Sequence, residues 1–180
     1  STFFSLVLLG VIFAVFFAHV NLTLNWRTAN RESAKIAPLP NEYKDAVVQV
    51  YAARAYGWRG LFAVHTWIAI KDKDARKYKV YQVLGWRSFF GQLPLSIQED
   101  IPDRMWFGQK PDILQDIRGV MAEKIINKID HVARSYPWQR HYVLWPGPNS
   151  NTFTAYMARK IPELHFVMPP IAVGKDYLGL

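Results

Sequence analysis

The first 26 residues hold no Asp, Glu, Lys or Arg, and that one feature constrains the rest of the chain. From Phe3 to Ala18 the run reads FFSLVLLGVIFAVFFA, apolar on every side of a helix. A helix lying on a globular protein needs a polar face, so a stretch without one belongs in a dry core or in lipid. At about 1.5 Å per residue, roughly 20 apolar residues cross a hydrocarbon layer of about 30 Å. Trp26 stands where an aromatic residue would mark the lipid–water interface. A secretory signal would have an apolar core of about 7–15 residues behind a basic stretch, with a small-residue cleavage site. This run is longer, no basic residue precedes it, and Ala18-His19-Val20 is a poor cleavage sequence. The expectation is a single-pass transmembrane anchor over 1–26, a juxtamembrane linker over 27–40 closing on Pro38-Leu39-Pro40, and a domain over 41–180.

About 150 residues beyond the anchor is the size of one domain. The formal charge of +8 falls entirely on this part. Anionic lipid headgroups are the natural partner of a basic domain at a bilayer, each nearby Lys or Arg contributing about 1 kcal/mol. The Lys and Arg residues are scattered and no nucleic-acid motif is present, so nucleic acid is not an expected partner. With no cysteine, disulfides, thiolate metal sites and a cysteine nucleophile are excluded. His131, His141 and His165 lack metal-ligand spacing, and no glycine-rich phosphate loop exists, so neither a metal nor another cofactor is expected.

Residues 46–52, 61–70 and 78–84 read as strands, the last two joined by the polar turn Lys71-Asp72-Lys73-Asp74. Residues 85–110 read as loop. Asp112 caps a short helix with Ile113, Leu114 and Ile117, ended by Gly119. Residues 120–136 form an amphipathic helix with Met121, Ile125, Ile129, Val132 and Tyr136 on one side, and Pro137 ends it. Tyr142 to Trp145 reads as a fourth strand, and Asn149 or Ser150 caps a last helix broken at Pro162. The fold class is α+β: a small antiparallel sheet packed by helices, with His65 on a central strand.

Two segments have the ingredients of chemistry. Val64-His65-Thr66-Trp67 places a histidine within a strong strand. Trp145-Pro146-Gly147-Pro148-Asn149-Ser150-Asn151-Thr152-Phe153 places a hydroxyl at a helix start, where the dipole and free N–H groups favour a nucleophile or an oxyanion. Ser150 with His65 as base and Gln82 as the group orienting the imidazole would make a catalytic set. Asn149, Asn151, Trp67 and Trp145 are the candidate binding residues. The plainer reading makes Asn149 and Ser150 helix caps and His65 a hydrogen-bonded, half-buried residue.

The runs 50–54 (VYAAR), 57–60 (GWRG), 64–68 (VHTWI), 102–104 (PDR), 106–108 (WFG), 145–153 (WPGPNSNTF) and 174–177 (GKDY) resemble an uncharacterised bacterial family of membrane-anchored proteins with a domain of unknown function. The order of elements is more distantly similar to circularly permuted papain-like folds, the PPPDE peptidases and the lecithin-retinol acyltransferase group. There a strand histidine precedes a nucleophile held at a helix start within an Asn-Cys-Asn-x-Phe type sequence. His65 matches the histidine, and Asn149-Ser150-Asn151-Thr152-Phe153 matches the second motif with serine in place of cysteine. A serine needs a far stronger base than a thiol, so the exchange implies either a working Ser–His pair or a degenerate site that binds without reacting.

Two functions follow. One is a membrane-anchored non-catalytic module, either an accessory subunit packing on other membrane-protein subunits or a lipid- or peptide-binding domain. The alternative is a serine-dependent hydrolase or acyltransferase acting on an acyl or amide bond at the membrane. The resemblance implies the bacterial inner membrane. Arg27, Arg31 and Lys35 after the apolar run point to a cytoplasmic domain by the positive-inside rule, while the basic N-termini of the resembling family point to a periplasmic one, which is the expectation adopted.

Overall fold

A computed structural model describes residues 2–18 and 25–179. The helix α1 spans Thr2–Ala18, and Phe3 to Phe13 are exposed along it. Among the described residues no helix is long and apolar enough to cross a membrane. With 17 residues α1 is about 25 Å long, short of a hydrocarbon layer of about 30 Å. The transmembrane span expected over 1–26 is therefore not seen as such, and Ser1 and residues 19–24 of that range lie outside the described residues.

The domain is α+β. Five strands, β1 (Val47–Arg54), β2 (Val64–Lys71), β3 (Lys79–Val83), β4 (Leu95–Glu99) and β5 (Asp112–Arg118), form one antiparallel sheet in the order β4-β3-β2-β1-β5. β1 and β2 are buried along almost their whole length, which is why they read as near-continuous apolar runs. Two helices, α2 (Val120–Arg134) and α3 (Ser150–Lys160), cover one face. Their apolar sides meet Val48, Val50, Ile68, Ile70, Tyr81 and Val83 in the larger core, together with Ile125, Ile129, Phe153 and Met157. Strand alternation sends Tyr51, Trp67, Ala69 and Val80 to the other face, where Ile36, Ala37, Tyr43 and Trp106 close a smaller core.

That second layer comes from the linker. Residues 30–37 lie across the loop 103–108, with Ala34 N–H donating to the Asp103 carbonyl, Met105 N–H to Glu32 and Gly108 N–H to Asn30. The buried Asp103 carboxylate accepts from the Ser33 hydroxyl and from the Ile36 and Ala37 N–H groups. A charged acceptor with three donors is strong enough to hold an otherwise irregular segment in place.

Three sequence expectations are corrected. Asp112–Arg118 is the edge strand β5 and not a helix, because Ala46 to Ala52 offers it an unpaired strand edge over its full length. Within the expected loop 85–110, Leu95–Glu99 pairs with β3 as β4. Tyr142 to Trp145 is not a strand: Val143, Leu144 and Trp145 are exposed and find no partner in the sheet.

Candidate functional site

The N-terminus of α3 meets the start of β2, and the match is polar. Asn151 Nδ2 donates to the Val64 carbonyl at 3.0 Å and to Val173 at 2.9 Å. The Thr66 hydroxyl lies 3.0 Å from Asn151 Oδ1 and 2.9 Å from Thr154 Oγ1. Asn149 is the cap. Its Oδ1 accepts the N–H groups of Asn151 and Thr152, and its Nδ2 donates to Leu144 and Val173 at 3.0 Å each. Thr152 completes a capping box and donates to the Gly174 carbonyl at 2.7 Å. A side chain at Gly174 would come within 2.4 Å of Asn149, so the tail can approach this closely only as glycine. Asn149 and Asn151, proposed from sequence as binding residues, thus spend their polar atoms tying helix, strand and tail together.

Ser150 is the first residue of α3 and is buried. Among the described residues its hydroxyl makes no hydrogen bond. The N–H groups of Asn151, Thr152 and Phe153 are all taken by Asn149, which leaves no pair of first-turn donors to hold an oxyanion.

His65 lies on the other side of the sheet. Thr66 faces α3, so its neighbour faces away, and the imidazole stacks on Trp106 with ring centres 3.6 Å apart and on Trp67 at 5.5 Å. Its Nε2–H donates to Gln82 Oε1 at 3.1 Å across the neighbouring strand. The pairing of His65 with Gln82 is as the sequence suggested. Among the described residues no hydrogen bond joins His65 to Ser150, and His65 points to the face of β2 opposite Thr66. Burial lowers the His65 pKa from 6.5 to about 3, against the weaker opposing effect of the Gln82 bond. Such an imidazole is neutral and a very weak base.

Trp67 is buried, stacked on Tyr51, and donates its Nε1–H to the Pro102 carbonyl at 2.7 Å. It is part of the wall around His65 rather than an open contact surface. Trp145 is the opposite case, 75% exposed at the head of α3. Trp106 is the residue that sequence reasoning undervalued. It covers His65 and passes the stack on to Trp86 and Phe107, and Phe107 in turn meets Tyr56 and the Arg31 guanidinium. The only sign of it in the sequence is the Trp-Phe-Gly run beside Pro-Asp-Arg, whose Asp103 holds the linker.

No curated protein and no solved structure matches the chain. The family model described as a protein of unknown function (DUF3750) matches residues 45–177, from just ahead of β1 to the tail that locks α3, and the chain belongs to that family.

Proposed function

We propose that this protein is a membrane-anchored, non-catalytic module, an accessory subunit or a lipid- or peptide-binding domain in which a papain-like site has lost its chemistry. The observation that carries this reading is the fate of the base. A serine hydroxyl needs a strong, adjacent general base, whereas His65 sits behind Trp106 with a pKa of about 3 and faces away from Ser150. The anchor rests on the uncharged run 1–26, whose apolar side chains from Phe3 to Phe13 are exposed in α1. Anionic headgroups and neighbouring membrane subunits are the partners this suggests.

A serine-dependent hydrolase or acyltransferase is the second reading, favoured by the His65–Gln82 hydrogen bond, which is the orienting half of a catalytic set. Treatment of the full chain in detergent or vesicles with a fluorophosphonate probe separates the two. The module gives no label. Labelling that disappears in Ser150→Ala would establish the enzyme instead.

A further inference from the structure

Three loops close the end of the sheet at which α3 begins. They are the 3-10 turn Gly57–Leu61 between β1 and β2, the 3-10 turn Gly85–Phe90 between β3 and β4, and the segment 143–149 leading into α3. Among the described residues after Trp26, every exposed Phe or Trp lies in or directly beside these loops: Trp58, Phe62, Trp86, Phe89, Phe90 and Trp145. Phe89 is 87% exposed and touches no other described ring. Exposed aromatic rings gathered at one end of a domain mark an interaction surface, since chance exposure would scatter them.

The three loop segments are also basic. The segments 54–65, 84–96 and 135–152 contain Arg54, Arg59, Arg87 and Arg140 and no Asp or Glu. The turn at the far end of the β2–β3 hairpin has no exposed ring and mixes Asp72 and Asp74 with Lys71, Lys73, Arg76 and Lys77. Aromatic tips with arginines in the same loops are the composition of a protein belt at an anionic lipid interface: the rings lie between headgroup and acyl chain, and the guanidinium groups meet phosphates. The third observation is continuity. The exposed apolar helix α1 lies against the turn Gly57–Leu61, so its lipid-compatible surface and the aromatic loops are neighbours.

We infer that the loops 57–62, 85–90 and 143–149 seat the domain on an anionic bilayer surface, with the Asp72–Asp74 turn pointing away from it. The inference rests on the proposed anchor, and its failure can be told apart from the anchor's. The chain has no cysteine, so Phe89→Cys and Lys73→Cys each give one attachment point for the fluorophore NBD on the full protein. Both positions are exposed, and folding does not depend on either side chain. Each labelled chain is reconstituted in phosphatidylglycerol–phosphatidylcholine vesicles with and without doxyl-labelled lipid, and flotation is measured first. We expect both chains to float, NBD at position 89 to be blue-shifted and quenched by doxyl lipid, and NBD at position 73 to be neither. Quenching at position 89 should fall severalfold in phosphatidylcholine alone. Floating chains with position 89 unquenched would overturn the inference, leave the aromatic end to a protein partner and keep the anchor. Equal quenching at both positions would also overturn it. Chains that do not float would remove the anchor and the seat together.

Discussion

Burial keeps the His65 imidazole neutral in the folded protein, and folding is therefore coupled to pH. The pKa is about 3 when folded against 6.5 unfolded, so between these values the unfolded chain binds the extra proton. The contribution of His65 is complete above pH 6.5 and is lost as pH falls toward 3, at up to about 1.4 kcal/mol per pH unit. Thermal melts from pH 7 down to pH 4 should show this acid destabilisation. His65→Phe, which keeps the stack on Trp106 and removes the titrating group, should flatten the slope even though it leaves Gln82 without its donor. Asn149 and Ser150 give a second contrast. Asn149→Ala removes the cap, one tie to Leu144 and one to Val173 in the tail, and should destabilise by about 2 kcal/mol, whereas Ser150→Ala should stay within about 0.5 kcal/mol, both read from denaturant midpoints. The sequence pointed to His65, Gln82, Asn149 and Ser150 as residues of consequence, and the His65–Gln82 bond is formed. What it did not reveal is which face of β2 receives α3. Strand alternation says that His65 and Thr66 point oppositely, but only the packed helix decides that Thr66 is the one beneath it.

At the level of elements, the central strands and the two packed helices were legible because burial imposes a strong apolar pattern on them. The edges were not. β5 is mostly exposed, and Ile113, Leu114 and Ile117 happen to repeat at helical spacing, so a pairing partner far away in sequence decides its conformation. β4 buries little beyond Leu95 and Ser96, too short a signal to separate from loop. Residues 142–145 misled in the other direction. Their apolar content suggested a strand, yet Leu144 and Trp145 are turned outward. The linker is the element whose docking a single substitution tests. Asp103→Ala strips one buried acceptor from Ser33, Ile36 and Ala37, so the Ile36 and Ala37 amides should exchange hydrogen at least tenfold faster by mass spectrometry while β1 and β2 stay protected. Unchanged exchange at both amides would mean that the smaller core alone retains the linker.

For the molecule as a whole, the proposed anchor would place the domain on one side of a membrane, and the periplasmic side is the one we propose. Lys73 lies in an exposed turn away from α1 and the aromatic loops, and Lys73→Cys in this cysteine-free chain gives a single reporter. An impermeant maleimide should label it in intact spheroplasts, as a periplasmic domain requires. Labelling only after lysis would reverse the assignment and make Arg27, Arg31 and Lys35 the residues that set orientation. If the chain is anchored as proposed, the clasp at Asp103 bears on a different property, its range. Fourteen residues, 27–40, could extend to about 45 Å if free and let the domain sweep a broad volume above the lipid. Folded back along the sheet, they contribute almost nothing to that radius. Such a protein would meet its partners by sliding within the plane of the membrane, and a soluble target would have to descend to it.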